Sequence, residues 1–256
     1  ADTSGSVIVT ASHIVERDED ITITTGDGRE IPATLIGRDR RSDLAALRVA
    51  ESLPVATHVT AEETRVGALA LAVGRADELS ATAGVVSAFG GPRRSGQGRR
   101  RRANILISTD APMFPGFSGG PLVDASGRVF GILSSHLGRG QTLAIPSDDV
   151  DRIAGSIGQH GHVRRGFLGI GAQPVTLPHG GERGLLLVGI EENGPAYGAG
   201  LMIGDILLSL DGQPVTELED LRSALDGDAV GAATNVALLR GGQRQEIRVT
   251  IGEQPE

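Results

Sequence analysis

The sequence predicts a mainly β fold, in which short strands close into a barrel or pack as a sandwich. Before about residue 50, four strand-like runs follow one another closely: Val7–Thr10, Ile21–Thr25, Ile31–Ile36 and Leu44–Val49. The turn Gly26-Asp27-Gly28 separates the second run from the third and is typical of a β-hairpin. Such closely spaced short strands favour a sandwich or barrel over an alternating α/β sheet.

A second β-rich region begins near Val66 and continues through strand-like runs at Val129–Ser134 and Thr142–Pro146. The segment that starts at Ser147 predicts a helix, because serine can cap a helix and the aspartates after it suit the positive N-terminal end. We expect this helix to end near Gly158, with a polar linker after it. The predicted domains are therefore residues 1–160 and 161–256.

Composition excludes several classes of protein. A chain of 256 residues suits two domains. It has no cysteine, so disulfides and thiolate metal sites are excluded. A net charge of −8 argues against a nucleic-acid-binding surface. No apolar run approaches membrane-spanning length, and no phosphate-binding loop of the ATPase type is present.

One serine lies in a glycine-rich turn, Gly116-Phe117-Ser118-Gly119-Gly120, directly before an apolar strand. A serine hydroxyl needs a nearby base and donors for the oxyanion before it can act as a nucleophile. Taken alone, the turn fits an ordinary loop, His13 a half-buried histidine and Asp43 a turn or cap residue. Together they give the chain order His, Asp, Ser, which is one order of the catalytic triad.

The stretches around these residues resemble the HtrA (Deg) family of trypsin-like serine proteases. They are "TASHIV", "SDLAALRV", "TDAPMFPGFSGGPLVD" and "LAIPSDDV". The resemblance covers nearly the whole chain and implies a trypsin-like double β-barrel followed by one PDZ domain. The first barrel of that fold has six strands, and only four are predicted here. We therefore expect that barrel to be incomplete at its N-terminus, with the natural protein beginning upstream at a signal or membrane anchor.

The resemblance assigns the chemistry residue by residue. Ser118 would be the nucleophile, His13 the general base and acid, and Asp43 the residue that orients His13. The oxyanion hole would use the backbone N–H groups of Gly116 and Ser118. The family usually has asparagine where this chain has Phe117, and again at Phe114. These phenylalanines either pack and rigidify the loop or hold it in a collapsed, inactive form.

The specificity pocket is expected at Met113 and Ile145, where the family has aliphatic residues. The absence of an acidic residue at its base predicts cleavage after small or medium aliphatic residues. We expect no cofactor and no metal site, because His160 and His162 lie in a polar linker without a third ligand at suitable spacing.

The C-terminal third resembles a PDZ domain. Phe167-Leu168-Gly169-Ile170 stands where the family has "YLGI", the loop that captures a peptide carboxylate, and the next strand can add a peptide strand. The implied partners are hydrophobic C-terminal peptides and unfolded proteins, and the implied assembly is a homotrimer outside the cytoplasm. A basic run at Arg99–Arg102 is either a solvated loop or a contact with the PDZ domain.

The predicted function is an ATP-independent endopeptidase for unfolded or damaged proteins, regulated by peptide binding to the PDZ domain. The alternative is a latent or inactive protease that acts as a chaperone-like, peptide-binding protein. A plain PDZ scaffold does not explain why His13, Asp43 and Ser118 occur together in order.

Overall fold

The computed structural model describes residues 5–90, 106–138, 140–178, 181–225 and 229–255. These residues form two compact units, one ending at Val163 and the other starting at Arg164. The basic run Arg99–Arg102 lies outside the described residues. Strands dominate both units, which confirms the predicted mainly β fold. No helix in the described ranges is long and apolar enough to cross a membrane.

The first unit opens with a four-stranded antiparallel sheet in the order β1-β4-β3-β2. Its strands are β1 (Ser6–Ala11), β2 (Ile21–Thr24), β3 (Glu30–Asp39) and β4 (Leu44–Val49). All four were predicted from the sequence. In the β1–β4 pair, Ala11 lies opposite Leu44. The residues that directly follow β1 therefore lie beside those that directly precede β4.

Six further antiparallel strands close into a barrel in the order β10-β7-β6-β5-β8-β9. They are β5 (Leu69–Arg75), β6 (Leu79–Gly90), β7 (Leu106–Thr109), β8 (Pro121–Val123), β9 (Val129–Ser134) and β10 (Thr142–Pro146). The barrel core combines small and large side chains, among them Ala70, Ala72, Phe117, Leu122 and Leu133. Close packing therefore depends on a few large residues.

Helix α1 (Ser147–His160) follows the barrel and packs against it and against β4. Its Val150, Ile153 and Ile157 share a buried cluster with Leu44 and Ile145. The helix was predicted, but the capping role of Ser147 was wrong. Ser147 is the first helical residue, and its hydroxyl donates to the Val129 carbonyl at 2.9 Å. It therefore ties the helix to β9 and does not cap it.

The second unit is a sheet in the order β12-β13-β14-β16-β17, with β15 paired to β14 and β11 paired to β18. Its elements are β11 (Gly166–Phe167), β12 (Ile170–Thr176), β13 (Arg183–Ile190), α2 (Pro195–Gly198), β14 (Ile206–Leu210), β15 (Gln213–Pro214), α3 (Leu218–Ala224), β16 (Ala233–Arg240), β17 (Gln243–Thr250) and β18 (Gly252–Glu253). Strand β12 is at one end of the sheet, and α3 packs near it.

Candidate active site

The β1–β4 pairing brings His13 to Asp43. A short 3-10 turn, Ser12–Ile14, carries His13 directly after β1. Its backbone amides are held by Asp43, since Ser12 N donates to the Asp43 carbonyl at 2.9 Å and His13 N donates to Asp43 Oδ1 at 3.0 Å. The His13 ring then places Nδ1 at 2.7 Å from Asp43 Oδ2. The backbone and the side chain of Asp43 therefore both fix the imidazole.

Asp43 itself is tightly constrained. It has a φ of 57°, in the left-handed region that aspartate tolerates better than most residues. Its side chain is buried, and Ser134 Oγ donates to Oδ2 at 2.5 Å. An ionised carboxylate accepts hydrogen bonds and donates none, so His13 carries its proton on Nδ1 and leaves Nε2 as the acceptor. This is the tautomer that a general base requires.

Ser118 lies in a turn whose backbone is fixed on both sides. Gly116 and Gly119 have φ values of 85° and 81°, which glycine adopts without strain. The Gly116 carbonyl accepts from Arg75 N at 3.1 Å, and Gly119 N donates to the Leu133 carbonyl at 2.8 Å. Within the described ranges, the amides of Gly116 and Ser118 donate to no other group. Both are therefore free to bind an oxyanion.

Phe117 packs inward between these two amides. Its side chain is 1% exposed and belongs to the barrel core. It lies so close to Gly74 that a Cβ at residue 74 would overlap its ring and come within 2.6 Å of its Cα. Phe114 is 56% exposed and meets Phe117 edge to face, with ring centroids 5.9 Å apart. The packing supports the rigidifying alternative for Phe117.

Ser135 lies between Ser118 and His13, which the sequence did not indicate. Ser118 Oγ donates to Ser135 Oγ at 3.0 Å and accepts from Ser135 N at 3.3 Å. Ser135 Oγ is in turn 3.4 Å from His13 Nε2. No direct Ser118–His13 hydrogen bond is present in the part of the chain that the structure describes. Ser118 Oγ must therefore rotate away from Ser135 before it can form a hydrogen bond with His13 Nε2.

The next residue, His136, also meets His13. The two rings are perpendicular, with centroids 4.0 Å apart. His136 is exposed, and its backbone amide donates to Ser134 Oγ at 3.2 Å. The run Ser134-Ser135-His136 at the end of β9 was the only sequence signal for these contacts, and it lies some 90 residues or more from Asp43 and His13.

His13, Ser118 and Ser135 line a cleft of about 1150 Å³. Met113 lines it, as predicted for the specificity pocket, together with Gly138, Gln141 and Thr142. The structure does not bring Ile145 to the cleft. Side chains alternate along β10, so Ala144 enters the barrel core while Ile145 faces outward to Leu44 and α1. The Ile145 assignment is therefore corrected, and Thr142 replaces it in the lining.

In the second unit, the loop predicted to bind a peptide carboxylate, Phe167–Ile170, has two of its own carbonyl groups hydrogen-bonded to other residues of the unit. The Leu168 carbonyl accepts from Ala196 N at 2.9 Å, and the Gly169 carbonyl accepts from Glu191 N at 2.8 Å. Gly169 has a φ of 72°. Among the described residues, the amides of Leu168 and Gly169 donate to no carbonyl. Phe167 and Ile170 flank them at the ends of β11 and β12.

A chymotrypsin-like arrangement of His, Asp and Ser, followed by a PDZ-type sheet, defines the class of protein. Residues 1–132 match the trypsin-like peptidase domain family, and residues 166–251 match the PDZ domain family. The HtrA-type protease AlgW, solved with a decapeptide, superposes with a TM-score of 0.85 and 30% identity, covering 99% of this chain and 81% of that one. The serine endoprotease from Yersinia pestis superposes with a TM-score of 0.81 and 29% identity, covering 99% of this chain and 87% of that one.

Curated relatives agree with this similarity. A probable periplasmic serine endoprotease DegP-like from Halomonas elongata is 33% identical over 266 residues, which is 97% of this chain and 54% of the relative. The corresponding protein of Pseudomonas fluorescens is 34% identical over 267 residues, with the same coverage of 97% and 54%. The chain belongs to the HtrA (Deg) family of trypsin-like serine proteases, as its motifs predicted. It spans about half the length of these curated relatives.

Proposed function

We propose that the protein is an ATP-independent serine endopeptidase of the HtrA type, acting on unfolded or damaged proteins. The observation that carries the proposal is the 2.7 Å contact between His13 Nδ1 and buried Asp43. The same cleft holds the serine turn, whose Gly116 and Ser118 amides donate to no group among the described residues. Peptide hydrolysis needs a base in the correct tautomer, a nucleophile and an oxyanion hole, and all three occur in one cleft.

In the proposed reaction, Ser118 Oγ attacks the substrate carbonyl while its proton passes to His13 Nε2. The carbonyl oxygen becomes an oxyanion, which the amides of Gly116 and Ser118 bind. His13 then gives the proton to the leaving amine, and the peptide C–N bond breaks. A water molecule releases the acyl group by the same route. Asp43 remains ionised and stabilises the imidazolium.

The cleft supports a preference for small or medium aliphatic residues before the scissile bond. Met113 supplies an apolar wall, and Gly138 and Thr142 supply small neighbours. No acidic side chain lines the cleft in the described part of the chain. A buried cationic side chain without a partner is costly, so cleavage after arginine or lysine is disfavoured.

The PDZ unit is proposed to bind the free C-terminus of a hydrophobic peptide. The amides of Leu168 and Gly169, which donate to no carbonyl in the described part of the chain, suit a carboxylate, and the outer edge of β12 suits an added strand beside α3. AlgW was solved with a decapeptide and with a tripeptide. We propose that peptide binding regulates cleavage. Because its relatives are named periplasmic, we also propose that the protein works outside the cytoplasm in protein quality control. Its membership of the family leads us to propose that it is a homotrimer.

The experiment compares the wild type, Ser118→Ala and Ser126→Ala, a matched change at an exposed turn serine. We measure labelling by a serine-reactive phosphonate and the rate of casein hydrolysis. Both are measured in the presence of a peptide that ends in valine, or of the same peptide with an amidated C-terminus. We expect Ser118→Ala alone to lose labelling and cleavage, and the acid peptide to raise the rate more than the amide. Equal cleavage by Ser118→Ala would disprove the assignment. No label in either peptide state would favour the latent, chaperone-like alternative.

A further inference from the structure

The catalytic pair has a third potential metal ligand beside it. One ring nitrogen of His13, one of His136 and a carboxylate oxygen of Asp43 lie within 4.8 Å of one another. In a tetrahedral zinc site, bond lengths of about 2.0–2.2 Å place the ligand atoms roughly 3.3–3.5 Å apart. His13 Nδ1 and Asp43 Oδ2 are 2.7 Å apart and would have to separate slightly, while the His136 ring turns inward, for all three residues to bind one ion. We propose that these residues form an inhibitory site for a transition-metal dication such as Zn²⁺.

Two of the ligands are already fixed. The Asp43 carboxylate accepts hydrogen bonds from Ser134 Oγ at 2.5 Å and from the His13 backbone amide at 3.0 Å. Hydrogen bonds of this kind orient a ligating carboxylate and raise metal affinity. Asp43 and His13 side chains are only 5% and 21% exposed, so few rotamers are open to them. Little conformational entropy is therefore lost when they bind an ion.

His136 provides the movable ligand. Its backbone is anchored by the amide bond to Ser134 Oγ at 3.2 Å, while its side chain is exposed. Its ring contacts His13 edge to face and, in the described ranges, makes no hydrogen bond of its own. The ring can turn to direct a nitrogen lone pair at the ion without breaking a polar contact.

The donor set decides which ions bind. Two imidazole nitrogens and one carboxylate oxygen suit Zn²⁺ and Cu²⁺, whereas Mg²⁺ and Ca²⁺ prefer sites made of oxygen ligands. Water from the cleft, or the hydroxyl of Ser118 or Ser135, can fill the fourth position. Both serines line the same cleft as His13.

Occupancy would stop catalysis through His13, and this consequence depends on the proposed function. If the ion binds Nε2, the lone pair that would accept the Ser118 proton is occupied by the bond to the metal. If the ion binds Nδ1, the single proton of the neutral ring moves from Nδ1 to Nε2, which then donates a hydrogen bond and no longer accepts one. In both cases His13 cannot act as a general base.

Binding is tested with the full chain carrying Ser118→Ala, which removes self-digestion. Calorimetric titration with ZnCl₂ should show a site that weakens at least tenfold in His136→Gln. The matched control replaces His160 and His162, the linker histidines, with glutamine and should keep the site. Mg²⁺ should give no binding. Unchanged affinity in His136→Gln, or loss of the site in the linker control alone, would overturn the proposal.

Inhibition is tested separately with active protein. Zn²⁺ should inhibit casein hydrolysis, EDTA should restore it, and half-inhibition of His136→Gln should need at least ten times more Zn²⁺. Equal inhibition of both proteins would overturn the proposed site. If the wild type has no hydrolytic activity at all, the proposed function fails, while the calorimetric result still decides the metal site.

Discussion

Replacing Phe117 with alanine tests whether the barrel core holds the oxyanion loop. Phe117 is 1% exposed and shares a buried cluster with Ala70, Ala72 and other core residues. The alanine side chains in this cluster are too short to fill the space that the ring leaves. We therefore expect the free energy of unfolding to fall by about 3–5 kcal/mol, the range for buried phenylalanine-to-alanine changes. For a unit of this size, that lowers the melting temperature by roughly 6–20 °C.

The same change should slow catalysis in molecules that remain folded. Phe117 separates Gly116 and Ser118, whose amides would bind the oxyanion, and its ring against Gly74 fixes that backbone from inside. Loss of one oxyanion donor lowers kcat by about 10²–10³. A loop that is loosened but not broken should lose less, so we expect a fall of about tenfold to a hundredfold. Urea unfolding and kcat measured well below the transition report the two effects separately.

Phe114→Ala is the matched control, because Phe114 is in the same loop but is 56% exposed. It should lower the free energy of unfolding by less than about 1 kcal/mol, as most surface changes do. A loss below about 1 kcal/mol in Phe117→Ala would show that its ring does not pack as described. A full loss of stability with unchanged kcat would show that the ring is only a core residue and does not position the amides.

Four further changes separate catalysis, specificity and stability. Asp43→Asn should fold, because asparagine also tolerates the φ of 57°. It should lower kcat by a factor of about 10⁴, since an amide selects the wrong His13 tautomer. An unchanged kcat would show that Asp43 has no part in the mechanism. Met113→Ala should change the preferred residue before the scissile bond in a peptide library. Ile145→Ala should leave that preference intact while lowering the free energy of unfolding by about 2–5 kcal/mol; the opposite pattern would return Ile145 to the pocket. Burial raises the pKa of Asp205, but hydrogen bonds from Arg240 and the Met202 amide outweigh it, so the pKa is lowered. Its ion pair therefore stabilises the fold above the ordinary carboxyl range, and that stabilisation is lost as pH falls through this range to the lowered pKa. Arg240→Met should cost about 3–5 kcal/mol at pH 7 and much less near pH 3; a pH-independent loss in urea unfolding would contradict the ion-pair account.

Sequence alone determined the family and the mainly β fold, and it predicted the three residues that we propose as the triad. Each of these depends on local chemistry. A glycine turn around Ser118 and turn residues at His13 and Asp43 leave their signal within a few neighbours along the chain. Four of the strands before residue 50 were predicted for the same reason, because alternation and turns are local features.

Only the tertiary structure decided which residues surround the proposed triad. Ser135 and His136 reach His13 because β9 ends beside the β1–β4 pair, and a contact across more than 120 positions has no local sequence signal. Ile145 was placed in the wrong environment because the register of β10, and not its composition, determines which face enters the barrel. The burial of Phe117 likewise depends on Gly74, a residue on a different strand. Contacts between distant segments are set by strand register and packing, which a linear pattern does not encode.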